Sequence, residues 1–129
     1  EIDESSAALG RKHFANSPHG RKIEIRLGAG LVTMRELSGP FDVIFIDADK
    51  ENNSAYVRWA VELGRPGTVI VVDNVVRSGR ILDPAADDRQ ARAVVEMLEM
   101  MGGHPRLDTA AIQTVGVKGW DGFAVAVVT

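Results

Sequence analysis

The sequence predicts an α/β fold in which two parallel strands joined by a helix are followed by an antiparallel hairpin. Three observations predict it. Two runs of apolar β-formers, residues 41–47 and 68–74, each end in an acid, as strands of a parallel sheet do when they leave a buried interior. Between them Tyr56, Trp59, Ala60 and Leu63 recur at three- and four-residue steps, the spacing of one helix face. After Gly102 and Gly103 the period changes: residues 107–115 and 122–128 read as strands. Their GVKGWDG connection is too short to hold a crossover helix, so this pair must be antiparallel.

In chain order, EID at 1–3 reads as the end of a strand running into a helix over 4–17. Asp3 or Ser5 is available as its N-cap, Ala7, Leu9 and Phe14 supply a weak apolar face, and SPHG ends it. KIEIRL at 22–27 alternates cleanly, Ile23, Ile25 and Leu27 on one face and Glu24 and Arg26 on the other, which predicts a strand. Gly28, Ala29 and Gly30 follow at once. They are either a plain turn into a helix over 31–37 or a place where missing side-chain bulk lets another body approach the backbone.

The 41–47 strand reads as buried on both faces. Helix 53–64 comes next, with Trp59 on its core side, and Arg65-Pro66-Gly67 turns the chain into the 68–74 strand. The loop VVRSGRILDPAADD leads to a helix over 87–101, whose Val94, Val95, Leu98 and Met101 share one side; its Met residues read as core filler.

At 129 residues the chain is the size of one domain, spanning 1–129. A net charge of -3 without a basic cluster argues against nucleic acid as a partner. No cysteine is present, so disulfides and thiolate metal sites are excluded, and a reducing cytoplasm is the expected compartment. Any metal must be held by oxygen or histidine. The longest apolar stretches are strand-length, so no membrane partner is expected.

The chemistry gathers where the two apolar strands end. Asp47 and Asp73 close them, and a right-handed crossover through the intervening helix sets the strands side by side or nearly so. Adjacent strands lie about 4.8 Å apart, so the two carboxylates can share one cation, with the Asn74 amide oxygen as a third donor. Three oxygens with open positions suit a hard ion of the Mg²⁺ kind. Lys50, three residues beyond Asp47, is placed to take a proton from a cation-bound hydroxyl. The plain alternative is that Asp49, or an Asn after it, caps the next helix and the other charges are solvated.

DADK at 47–50, VDN at 72–74, GAG after a strand at 28–30 and EID at the start together resemble the cation-dependent O-methyltransferases, the group of catechol and caffeoyl-coenzyme A O-methyltransferases and their small bacterial relatives. The resemblance runs from Glu1 to GWDGFAVAVV. It implies a Rossmann-like S-adenosylmethionine methyltransferase sheet with a terminal antiparallel hairpin, and a catechol-like or phenolic small-molecule substrate; a homodimer is left open. Asp47, Asp73 and Asn74 correspond to the family's metal ligands, with Asp47 also near the cofactor, and Lys50 to the base that deprotonates the acceptor hydroxyl. Glu1 falls on the acid that binds the ribose of S-adenosylmethionine, Ala29 and Gly30 fall where adenine packs, and Asp49 falls near the cofactor's amino-acid end. Lys50, Asn74, Arg77 and Ser78 correspond to the substrate side of the site.

The family's strand order 3-2-1-4-5-7-6 puts its first strand, with the glycine-rich loop, upstream of EID. The chain is therefore expected to be a fragment lacking both, with an exposed apolar seam and unpaired sheet edges. Asn53 stands where relatives often carry Tyr. Two other readings remain open here. DAD after an apolar strand also fits a DxD-type nucleotide-sugar glycosyltransferase, and a non-catalytic binding or dimerisation module would keep the fold without the chemistry.

Overall fold

A computed structural model describes residues 1–117 and 119–129. They form two compact units, Glu1–Leu37 and Ser38–Thr129.

The first unit begins with α1, Glu4–Ala15. Of the two cap candidates, Asp3 is the one used: its carboxylate accepts from the Ser6 N–H at 2.7 Å and the Ser5 hydroxyl at 2.6 Å. Glu4 in the first turn and Lys12 and His13 in the last complement the helix dipole. After α1 the chain turns so tightly that a Cβ on Gly20 would lie 1.9 Å from the Phe14 carbonyl oxygen. No other residue fits there.

The strand expected over 22–27 does not form as a ladder. Gly20–Lys22 is a 3₁₀ turn to which Ile23 donates back, and the stretch that follows is flanked by Glu1 alone rather than by a strand: the Glu1 nitrogen donates to the Arg26 carbonyl at 3.1 Å and its carbonyl accepts from the Gly28 N–H at 2.9 Å. Alternation makes a segment fit to be a strand, but a ladder needs a partner of matching length. The unit closes with α2, Gly30–Thr33, and a 3₁₀ turn at Met34–Glu36, in place of the expected single helix over 31–37.

The second unit is built on a four-stranded sheet of β1 (Val43–Ile46), β2 (Val69–Asp73), β3 (Leu107–Gly116) and β4 (Gly119–Val128), in the order β1-β2-β4-β3. β1 and β2 are parallel; β4 is antiparallel to both β2 and β3. This is the order 4-5-7-6 of the family's Rossmann-like sheet. Helices α3 (Asn53–Glu62) and α4 (Arg89–Gly102) pack on each other, α3 against β1 and β2 and α4 against β3. They bury Val57, Ala60, Val61, Ala91, Val94, Met97 and Met101 against Ile46, Ile70, Val72, Ala124, Ala126 and Val128. The alanines of β4 keep the sheet surface low and let the longer helix side chains seat on it.

Three expectations change. β1 is not buried on both faces: Val43 and Phe45 are each 63% exposed, because β1 ends the sheet order and alternate side chains point away from the face that α3 covers. The expected exposed apolar seam is thus present on this strand. On α4 the buried face is Ala91, Val94, Met97 and Met101, while Val95 and Leu98 are only half-buried; the expected role of Met as core filler holds. The hairpin reverses more tightly than GVKGWDG suggests. β4 starts at Gly119, whose φ of +112° favours glycine, so Trp120 pairs with Val115 and Asp121 with Thr114 inside the ladder. Lys118 lies outside the described residues. No helix among the described residues is long and apolar enough to cross a membrane.

Two outcomes follow. Met97 is fully buried, so Met97→Ala should cost about 2–5 kcal/mol in urea unfolding, whereas Leu82→Ser, at a side chain 83% exposed, should stay within about 0.5 kcal/mol. Hydrogen bonds from the Ser5 hydroxyl and the Ser6 N–H lower the Asp3 carboxyl from the usual 3.8 to about 2. A depressed folded-state pKa contributes stability above the unfolded value and loses it as pH falls through the folded one. The start of α1 should therefore loosen between about pH 4 and pH 2, seen in the Ser6 amide resonance, and Asp3→Asn should abolish that transition while keeping a cap.

Candidate site at the carboxyl ends of the parallel strands

β1 and β2 run in register, Ile46 opposite Val72. The next residue of each is an aspartate, Asp47 and Asp73, so both acids leave the same edge of the sheet. A 3₁₀ turn at Lys50–Asn52 then folds Lys50 back over them. Its Nζ lies 2.9 Å from Asp47 Oδ1 and donates to the Asp73 carbonyl at 3.3 Å. Lys50 is 8% exposed, and a buried polar head of this kind needs hydrogen-bond partners such as these two. The structure thereby brings together Asp47, Lys50, Asp73 and Asn74 on one edge.

The capping alternative for the acids and amides after β1 does not describe their side chains. Neither Asp49 nor Asn52 makes a side-chain cap. Asp49 instead accepts from the Tyr56 hydroxyl at 2.6 Å and from the Asn52 amide. Burial, reinforced by the hydrogen bond and charge of Asp49, pushes the Tyr56 phenol up to about 12. Tyr56 is thus a fixed donor that ties Asp49 to the first turns of α3. Asn53 is fully buried, and neither of its side-chain polar atoms has a partner among the described residues; an orphaned amide costs about 1–3 kcal/mol.

Beyond β2 the backbone is strained. Asn74, Arg77 and Ser78 all have positive φ, at 61°, 54° and 55°, a conformation uncommon outside glycine and concentrated at functional sites. Asp73 Oδ1 accepts the Asn74 N–H at 2.8 Å. Ser78 donates its hydroxyl to the Trp120 carbonyl at 3.3 Å, and the Arg77 guanidinium donates to Gln90 at 2.6 Å.

The anchor of this loop is Asp121, a residue to which the sequence reading assigned no role. Its Oδ1 accepts the N–H groups of Val76 (3.1 Å), Arg77 (2.8 Å) and Gly122 (2.9 Å), and its Oδ2 accepts from the Asn74 amide at 3.2 Å. Burial by itself would raise this carboxyl, yet those hydrogen bonds together hold it below the usual carboxylate range. The signal in the sequence is an acid followed by a glycine at the head of an apolar strand. The glycine is needed because a Cβ on Gly122 would lie 2.4 Å from the Ile112 carbonyl oxygen.

Glu1, Ala29 and Gly30 belong to the first unit. There Glu1 sits beside the Gly28 turn through the two backbone bonds described above, its carboxylate accepts the Asp3 N–H at 2.8 Å, and Ala29 precedes the first residue of α2. Glu1 also lines an open groove of about 320 Å³ with Ser6, Ala7, Gly10 and Ile25.

Among the described residues no group of three or more His, Cys, Asp and Glu side chains is placed to hold a metal. A cation at the strand ends would therefore take two carboxylates and the Asn74 amide oxygen. All three are hard oxygen donors, which fits an ion of the Mg²⁺ class and not zinc.

Residues 1–125 match a family described as O-methyltransferase. A catechol O-methyltransferase from Mycobacterium tuberculosis is 51% identical over 129 residues, covering 99% of this chain and 58% of that protein. Among solved structures, an O-methyltransferase from Bacillus cereus in complex with SAH superposes with a TM-score of 0.95 at 41% identity, covering 100% of this chain and 60% of that one. The O-methyltransferase TomG from Streptomyces achromogenes in complex with SAM gives 0.94 at 37%, covering 99% and 59%. The chain thus spans about three fifths of the length of these relatives. With its strand order, its paired acidic strand ends and a family match over nearly its whole length, the chain belongs to the O-methyltransferase family.

Proposed function

We propose that the protein containing this chain transfers a methyl group from S-adenosylmethionine to one hydroxyl of a vicinal diol of the catechol type, with a divalent cation of the Mg²⁺ class as second cofactor. The observation that carries this reading is the buried Lys50 held between the ends of two in-register strands, on the Asp47 carboxylate and the Asp73 main-chain carbonyl. Support for the methyl donor comes from the relatives solved with SAH and SAM, and support for the acceptor from the 51%-identical catechol O-methyltransferase.

When bound, the cation supplies a Lewis acid and a template for two neighbouring oxygens, and S-adenosylmethionine supplies the methyl group. Asp47, Asp73 and Asn74 would hold the cation, which would then orient the diol. The lone pair of Lys50 Nζ, acting as the neutral amine, would take the proton of the hydroxyl under attack and become the ammonium, so the O–H bond is replaced by an O–CH₃ bond as the S–CH₃ bond breaks. Such a displacement needs chiefly alignment of its reacting atoms. Glu1, Ala29 and Gly30 correspond to the family's residues for the nucleoside of the methyl donor; separately, Asp49, tied by Tyr56, corresponds to one near its amino-acid end. Arg77 and Ser78 shape the acceptor side, on a loop held rigid enough to discriminate between diols. A nucleotide-sugar transferase is the weaker reading, since the family match spans residues 1–125, and the intact set of site side chains argues against a non-catalytic module.

Two substitutions separate cation from base in the full-length protein, assayed as methyl transfer to a catechol across a metal series and a pH series. Asp73→Ala should lose activity that added Mg²⁺ partly restores. Lys50→Ala should lose about 10²- to 10⁴-fold, unrelieved by metal but partly relieved at higher pH, where hydroxide can take the proton. Near-normal turnover of Lys50→Ala at neutral pH, or activity of the wild type in chelator, would overturn the mechanism.

A further inference from the structure

Asp121 divides its two oxygens between two tasks: Oδ1 accepts three backbone N–H groups of the strained loop and of Gly122, and Oδ2 accepts the side-chain amide of Asn74. We propose that Asp121 is a positioning residue that determines which end of the Asn74 amide faces the cation. The inference rests on the cation-binding reading above and adds to it a residue outside the ligand set.

An amide has two ends of nearly equal size and opposite character, a carbonyl oxygen that can bind a cation and an NH₂ that cannot. Asn74 is well suited to its backbone position, since Asn tolerates a φ of 61° better than most residues, but the backbone does not choose between the two ends. Asp121 does. An ionised carboxylate only accepts hydrogen bonds, so the amide must turn its NH₂ toward Asp121 Oδ2, and Oδ1 is left on the opposite branch. Without that acceptor the amide is free to present its NH₂ to the cation, which adds a repulsive dipole where a ligand is needed. Groups that orient a ligand in this way commonly change metal affinity about 10- to 100-fold when removed.

The same division of labour supplies a clean test. In Asp121→Asn the single remaining oxygen can still accept the three backbone N–H groups, so the loop keeps its anchor. Its new NH₂ then confronts the NH₂ of Asn74 and favours the inverted amide. Exchanging the pair, with Asn74→Asp and Asp121→Asn together, restores a donor facing an acceptor and leaves an oxygen on the cation side at unchanged total charge.

The measurement is Mn²⁺ binding to the full-length protein, followed by the electron paramagnetic resonance signal of free Mn²⁺, without methyl donor or acceptor. Thermal unfolding in chelator is recorded for each variant. Asp121→Asn should weaken Mn²⁺ binding by about 10- to 100-fold while still unfolding cooperatively in chelator, and the exchanged pair, which carries the same change at 121, should recover most of that binding loss. Unchanged affinity in Asp121→Asn, or a loss that the exchanged pair does not recover, overturns the proposal. If folded wild type binds no Mn²⁺ at all, the cation reading itself fails, an outcome distinguishable because it precedes any variant.

Discussion

The parallel, in-register pairing of β1 with β2 is the constraint on which the candidate site depends. Ile46 is the last residue of β1 to pair, opposite Val72, and the next residue of each strand is an acid, Asp73 being still paired with Phe123 of β4. Had the register slipped by one, the two carboxylates would have emerged on opposite faces, because side chains alternate along a strand. What holds the register is burial on one face: Ile46, Ile70 and Val72 lie under α3 and α4. Bringing two carboxylates to one edge is electrostatically unfavourable. Lys50 Nζ bridges the two strand ends, donating to Asp47 Oδ1 at 2.9 Å and to the Asp73 carbonyl at 3.3 Å.

A second constraint comes from the far end of the chain. The Asn74–Gly79 segment holds three non-glycine residues at positive φ, each costing on the order of 1–3 kcal/mol. Hydrogen bonds to a charged acceptor contribute about 1.5–3 kcal/mol each, and Asp121 accepts three of its four from this loop. The two sums are of the same size, so one aspartate on β4 is enough to keep the loop in its strained form. The tightness of the β3–β4 hairpin matters for this reason: it places Asp121 within a ladder, opposite Thr114, where the backbone cannot drift.

Burial in the second unit is one-sided, which shapes the remaining surface. α3 and α4 cover the face that carries Ile46, Ile70, Val72, Ala124 and Ala126, while Val43, Phe45 and Val127 on the opposite face are exposed. β1 ends the sheet order, so the site's own strand is also the strand with an open edge.

The sequence by itself determined the α/β class, the alternation of strand and helix through residues 41–101, the antiparallel closing pair and the gathering of Asp47, Lys50, Asp73 and Asn74 at one sheet edge, because local period and strand-ending acids are written in consecutive residues. Tertiary structure alone decided what depends on partners. KIEIRL alternates like a strand yet finds the single residue Glu1 and not a strand beside it, so it forms no ladder. The apolar run of β1 reads as buried on both faces yet is covered on one. On α4, Met97 and not Leu98 faces the core, a choice made by how the helix is rotated against the sheet. Asp121 was invisible as a site residue because the residues it holds, Asn74 to Arg77, lie more than forty positions away, and only the folding of the hairpin beside β2 brings them within hydrogen-bonding distance.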